Sequence, residues 1–239
     1  MDPAFSGDVQ SRLQSTGAFT TVDTFDARSA IDGGSGTPTA GQLAAYDAVL
    51  AFSNNPFSDA VLLGDRLATY HDQGRGVVVA LFSNAGNSNA RMQGAYGTQA
   101  NGYALLNYTS GSYIYPSDWL GDVLESQSPL MTGVASFAAS AAYRSTANVI
   151  SGRGVVVARW RGGGQEPLVL RGTRGNRTLV ELNFFPTSSS GFVSGWTGDG
   201  ASLLRNALKY SRCMLCGPGT FAGSGAWWGR FRLRVLQNH

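Results

Sequence analysis

Residues 76–89 read GVVVALFSNAGNSN, a run of valines that ends in Leu81-Phe82 and then turns through Ser83, Asn84, Ala85 and Gly86. A serine on a tight turn after a buried strand is one place where an α/β hydrolase or transferase holds its nucleophile. Such a serine needs a base within hydrogen-bond reach to be activated. No Asp, Glu, His or Lys follows Ser83 until Asp118. The residue types therefore predict a turn former whose hydroxyl satisfies local backbone groups, with a ligand-facing serine as the alternative.

Cys213 and Cys216 form a second chemical pattern, C-x-x-C. A thioredoxin-type pair needs its first cysteine at a helix N-terminus, where the dipole lowers the thiol pKa. This pair follows the end of an expected helix. A zinc site would need two more ligands, and none lies nearby, so no metal site and no cofactor are implied. Two N-x-[ST] sequons, at Asn107 and Asn176, are potential glycan acceptors. Arginines 153, 159, 161, 171, 174 and 177 crowd one stretch; they read as solvated strand faces, or as a patch for an anionic partner. Tyr96, Tyr103, Tyr108, Tyr113, Tyr115 and Trp196 fall in expected loops, where aromatics either recognise sugars and proteins or cap the sheet.

The chain that must position these residues has 239 of them, 43% hydrophobic and 14% charged, with 32 glycines. That is a turn-rich composition able to bury a core, unlike a disordered chain. No apolar run is long enough to span a membrane, and no signal peptide is visible at the N-terminus. The formal charge of +3 comes from Arg230, Arg232 and Arg234 near the C-terminus; residues 1–226 balance 15 bases against 15 acids. A body of zero net charge lacks the clustered basic surface that nucleic acid requires.

Periodicity predicts a helix at 7–17, a strand at 19–25, a helical turn and buried strand within 42–53, and a helix at 59–74 with Leu62, Leu63, Leu67 and Tyr70 on one face. The valine strand follows. Residues 84–115 read as a long loop and 117–124 as a short helix. GVVVARWR (154–161), EPLVLRG (166–172) and NRTLVELNFF (176–185) read as a meander joined by Gly-rich turns. A last helix covers 199–211, with Asp199 as the N-cap whose side chain accepts a first-turn N–H. Strands alternating with helices imply a parallel sheet with crossovers.

The stretches LQSTGAFTTVDTFDA, TPTAGQLAAYDAVLAFSN, LGDRLATYHDQGRGVVVALFSN, SPLMTGVASF, LNFFP and WTGDGASLLRNALKY together resemble the class I glutamine amidotransferase-like superfamily, and more closely its non-amidotransferase ThuA-like branch. The resemblance spans roughly residues 8–211. It implies an α/β fold: a three-layer, flavodoxin-like, mostly parallel sheet with an antiparallel meander extension. Amidotransferases of the superfamily use a cysteine at the elbow and a His–Glu pair late in the domain. Here Phe82-Ser83 stands at the elbow, the histidines are His71 and His239, and Asn183-Phe184-Phe185-Pro186 stands where the pair would be. Glutaminase activity is therefore not expected, and no catalytic residue is assigned. Separately, CMLCGPGTFAGSGA resembles the start of the cysteine-rich repeats of extracellular multidomain proteins. The division that follows is an α/β domain at 1–211, a cysteine-rich segment at 212–226, and a basic amphipathic tail at 227–239.

Family members begin with an apolar strand that lies between the next two in the sheet, whereas only MDPAFS precedes the first helix here. Residues 229–236, GRFRLRVL, alternate Phe231, Leu233 and Val235 with arginines, the period of a half-buried strand. They are expected to add a strand to this sheet or a neighbour's with Phe231, Leu233 and Val235 facing inward; the arginines argue against a central position buried on both faces, so an edge or an intermolecular pairing is at least equally expected. The alternative is a vector-derived appendage.

Ligands of open α/β sheets bind beyond the carboxyl ends of the parallel strands. The candidate ligand-binding residues are therefore Ser53, Asn54, Asn55, Ser83, Asn84, Asn87, Asn183, Phe185 and Trp196. These offer amides, hydroxyls and rings but no acid–base pair. The expected function is a non-catalytic recognition or structural domain of a larger secreted or cell-surface protein, with a protein or glycan partner. The alternative is a hydrolase of a sugar derivative or amide that uses Ser83 or a loop acid.

Overall fold

The computed structural model describes residues 4–86, 88–191, 195–212 and 231–237. Its sheet begins with β1 (Thr21–Asp26), β2 (Ala48–Ala51) and β3 (Gly76–Ala80). These alternate with helices α1 (Ala4–Ser15), α2 (Ala40–Ala44) and α3 (Ala60–Asp72). After the short helix α4 (Gly94–Gly97) come β4 (Tyr113–Ile114), β5 (Asp118–Val123), β6 (Phe137–Ala139) and β7 (Arg144–Ser145). The meander is β8 (Val155–Trp160), β9 (Pro167–Arg174) and β10 (Arg177–Leu182); then follow β11 (Trp196–Gly198), α5 (Gly200–Tyr210) and β12 (Arg232–Gln237).

Ten strands form one sheet in the order β1-β12-β2-β3-β10-β9-β8-β5-β6-β11, and β4 pairs with β7 apart from it. The five strands from β1 to β10 are mutually parallel, and the rest continue antiparallel. The α/β, flavodoxin-like, three-layer arrangement is thus a parallel core extended by the meander. β2 and β3 are buried on both faces, as continuous apolar runs in parallel sheets usually are. Val9 and Leu13 of α1 and Leu203, Leu204, Ala207 and Leu208 of α5 cover one face of the sheet with Leu50, Val78 and Ala80. Leu63, Leu67 and Tyr70 of α3 cover the other with Val49, Val77 and Val79. Asp59 caps α3 by accepting the Leu62 N–H at 2.9 Å; Leu62 itself lies off the buried face.

Four expectations need correction. First, residues 118–123 are a strand, not a helix: β5 pairs antiparallel with β6 and β8, and non-local pairing outweighs local propensity. Second, Asp199 makes no side-chain cap. Its carboxylate instead accepts the Ala135 and Ser136 N–H groups at 2.9 and 2.8 Å and ties the loop before β6 to α5. Third, much of 84–115 is packed rather than loose. Tyr96, Tyr103 and Tyr108 are buried, and Gly86 lies where a Cβ would run into the Ser110 carbonyl, so its lack of a side chain permits the close approach.

The fourth correction is the largest. β12 is central: it lies between β1 and β2, parallel to both, with Leu233 opposite Val22 on one side and Ala48 on the other. Leu233 and Val235 are fully buried toward α1 and α5, and Phe231 packs on the same layer. The arginines do not forbid this place, because Arg232 stays exposed at the strand start. Arg234 lays its guanidinium over Tyr46, 4.2 Å from the ring centre, and donates to the Thr24 carbonyl at 3.0 Å. A long cationic side chain can cover apolar surface and keep its head partnered. The C-x-x-C pair, Arg230 and Asn87 lie outside the described residues.

Candidate functional site

The elbow after β3 turns its polar side chains inward. The Ser83 N–H donates to the Ala80 carbonyl at 3.0 Å, and Met92 N–H returns to the Ser83 carbonyl at 2.7 Å. Ser53 and Ser83 are both fully buried. The Ser53 hydroxyl donates to the Ala90 carbonyl at 2.7 Å, so its contact with the Ser83 hydroxyl at 3.0 Å has Ser83 as donor. That spends the Ser83 proton on another hydroxyl, with no base in contact. Asn84, also buried, donates to the Leu182 carbonyl at 3.3 Å. Asn183 clamps three segments: its side-chain carbonyl accepts the Ser145 N–H at 2.6 Å, and its amide donates to the carbonyls of Ser145 and Pro167 at 2.9 and 2.8 Å. Asn54 and Asn55 lie exposed at the end of β2.

His71 is buried at the opposite, amino-terminal end of the sheet, with Nε2 3.0 Å from the Thr178 carbonyl. Burial lowers its pKa below the usual imidazole value.

Beside Asn54 and Asn55, the strand ends present aromatic rings to solvent. Phe82 contacts Tyr113 edge-on at 4.8 Å between ring centres, Tyr143 at 5.5 Å and Phe185 at 5.8 Å. Tyr115 stacks on Tyr143 at 5.2 Å, with the ring planes 27° apart. Tyr113 and Tyr115 are 41% and 59% exposed, while Phe82 and Phe185 are nearly covered beneath them. The platform runs on into a shallow dent, with room for about one water molecule, lined by Phe137, Tyr143, Trp160, Phe184, Phe185 and Trp196, together with small residues. Among the described residues, no Asp, Glu, His, Lys or Arg lines it. Trp196 donates its indole N–H to the Pro186 carbonyl at 2.7 Å, which fixes one wall.

Two charged groups near the strand ends escaped the sequence reading. Glu181, on β10, is fully buried. Its carboxylate accepts the Leu105 N–H and the Tyr108 hydroxyl, each at 2.7 Å, and so fastens the 84–115 segment to the sheet. Burial pushes its pKa up to about 7 despite these bonds. Successive residues of a strand face opposite ways: Val180, Leu182 and Phe184 face the α1/α5 layer, so Glu181 faces α3, away from the cleft. The available signal was an acid within a stretch apolar at every neighbouring position. The second group is Arg144, fully buried, whose Nε lies 2.9 Å from Glu166 and whose NH2 lies 2.9 Å from Asp118. The Asp118 contact is ionic, because its angle does not make a hydrogen bond. The Arg144 guanidinium also sits 5.4 Å from the centre of the Trp160 ring, a cleft residue.

The raised pKa of Glu181 carries a pH signature. An acid that binds its proton more tightly folded than unfolded stabilises the fold fully below its unfolded value, and that stability is lost as pH rises through the folded value. The window here runs from 4.5 to about 7, and a shift of that size corresponds to roughly 3 kcal/mol. His71 acts in the opposite sense, since its lowered pKa costs stability as pH falls below the ordinary imidazole value. Glu181→Gln keeps an acceptor for Leu105 and Tyr108 and is expected to flatten the loss of stability between pH 5 and pH 8. Urea unfolding across that range checks it; an unchanged slope would show that Glu181 does not titrate in the folded chain.

No family model matches the chain, and no curated protein does. Solved structures similar to it include these two. One is the cytoplasmic protein STM3548 from Salmonella typhimurium, with a TM-score of 0.51 at 13% identity over 72% of this chain and 74% of that one. The other is a protein named as ThuA-like from Bacteroides uniformis, with a TM-score of 0.49 at 17% identity over 72% and 71%. At such identities the first likeness bears on fold alone, and the second, being weaker still, adds no argument. The class this defines is the mixed α/β, flavodoxin-like one already evident in the sheet order.

Proposed function

We infer that this chain is a non-catalytic recognition domain on an amidotransferase-like, ThuA-like fold, and that it binds its ligand on the aromatic platform and cleft at the strand ends. The observation that carries this reading is the division of labour at those ends. The serines and asparagines at 53, 83, 84 and 183 are buried and spend hydrogen bonds on the protein. Tyr113 and Tyr115 are exposed there, as are Asn54 and Asn55 at the end of β2. Flat rings over a shallow apolar cleft suit a partner with a flat apolar face, such as a pyranose ring of a glycan, because aromatic side chains bury much area with little entropy to lose. The sequons and the resemblance of CMLCGPGTFAGSGA to extracellular repeats support a secreted or cell-surface setting within a larger protein.

The hydrolase reading draws on Glu181, the one carboxylate near the elbow with a raised pKa. It faces the wrong side of the sheet for the cleft, and Ser83 has no base in contact. Ammonia release from glutamine is accordingly expected to be undetectable. Release that a Ser83→Ala variant abolishes would restore a catalytic reading. For binding, Tyr113→Ala/Tyr115→Ala is expected to weaken retention on a glycan array by at least about fivefold, if each ring contributes about 0.5–1.5 kcal/mol.

A further inference from the structure

The place of β12 in the sheet makes the gap between β1 and β2 a recognition site in its own right. Among the described residues, β1 has no sheet partner except β12, and β2 meets β12 on the side away from β3. Without β12 both strands would present unpaired edges facing one another, a ready template for an extended segment. The gap also selects side chains. On one face Leu233 and Val235 enter the layer under α1 and α5, and on the other Leu236 enters the layer under α3. Arg234 fits a cage made by the Tyr46 ring, the Phe25 ring at 5.5 Å and the Thr24 carbonyl. Both ends of the segment are held by backbone: Thr20 N–H donates to the Phe231 carbonyl at 3.0 Å, and Ala27 N–H donates to the Gln237 carbonyl at 2.8 Å. Asp47 accepts the Arg232 N–H at 2.8 Å.

Residues 213–230 join α5 to this segment. Eighteen residues reach at most roughly 60 Å, which does not bind the strand to its own body. We propose that the β1/β2 gap is a strand-accepting site for the sequence FRLRVLQ, filled here from within the chain and open to the same segment of a second copy. Exchange of one element between identical chains needs no new interface, since every contact is reused.

Two full-length variants test this. Val235→Asp spoils the donated strand and leaves the gap intact. Ala48→Asp, at a fully buried position opposite Leu233, spoils the gap and leaves the strand intact. Each alone is expected to lose its cooperative thermal transition. When the two are refolded together, a 1:1 complex is expected by native mass spectrometry, with the transition regained up to half the wild-type amplitude, because only one body of each pair has a sound gap. As a second arm, a dye-labelled FRLRVLQ peptide should be captured by the Val235→Asp chain during refolding, and the same peptide with aspartate at its valine should not. A mixture that behaves as the sum of its parts, with no 1:1 complex and no peptide captured, overturns the proposal. So does a Val235→Asp chain that keeps the wild-type transition, because the gap then needs no occupant.

Discussion

Removal of residues 227–239 is expected to abolish the native fold of the remaining chain, although it deletes only the last strand. Leu233, Val235 and Leu236 are fully buried. At about 1.5–3 kcal/mol for each such side chain, their loss alone removes roughly 5 kcal/mol, the lower end of a whole domain's stability. The backbone adds to this. β1 pairs with β12 over six registered positions and β2 over four, and all of those groups lose their partners. Phe19, which meets Phe231 at 5.2 Å between ring centres, is uncovered as well. Far-UV circular dichroism and thermal melting of the chain ending at residue 226 check this. A melting temperature equal to that of the full chain would mean that β12 contributes nothing to the body.

Substitution of Arg144 by alanine is expected to cost about 3–5 kcal/mol, the range for breaking a buried ion pair from one side. The reason is the charge left behind. Asp118 is almost fully buried and Glu166 partly so, and the guanidinium between them is their shared cation. Asp118 keeps the Gly162 N–H at 2.9 Å and Glu166 keeps the Gly164 N–H at 3.1 Å, but N–H groups do not replace a positive charge. The loss would also remove the contact with Trp160 and so loosen a cleft wall. Arg144→Ala combined with Asp118→Asn and Glu166→Gln should recover part of the loss, since no uncompensated charge then remains. Denaturant titration separates these outcomes. A cost below about 1 kcal/mol for the single variant would mean that water reaches the pair.

The parallel core was legible because its signals are local. The valines of β3, the i, i+4, i+7 pattern of α3 at Leu63, Leu67 and Tyr70, and the glycine turns of the meander each declare themselves within a few residues. β5 did not, because DWLGDV becomes a strand only through β6 and β8, which follow it by about 15 and 35 residues. The tail was legible as a strand from its alternation, and the vacancy it fills was legible from the family resemblance. Its central place was not, since nothing in GRFRLRVL shows that Tyr46 and Phe25 will shelter Arg234. At the candidate site, Phe185 and Trp196 line the cleft at the strand ends. The side chains of Ser53, Ser83, Asn84 and Asn183 face inward, which is set by the turn after β3 and by contacts from Ala90, Ser145 and Leu182 that no local pattern announces. Of the expected loop aromatics, Tyr113 and Tyr115 stand out because Tyr96, Tyr103 and Tyr108 are taken up by the packing of 84–115 on α3 and Glu181.

The most direct test of the recognition reading is retention of glycans on an array of pyranose oligosaccharides, with the wild-type chain and Tyr113→Ala/Tyr115→Ala measured side by side at equal folded concentration. The account predicts that the wild-type chain retains a defined subset and that the double variant loses it by at least about fivefold, the worth of two aromatic contacts. No retention by the wild-type chain, or equal retention by both proteins, would contradict it.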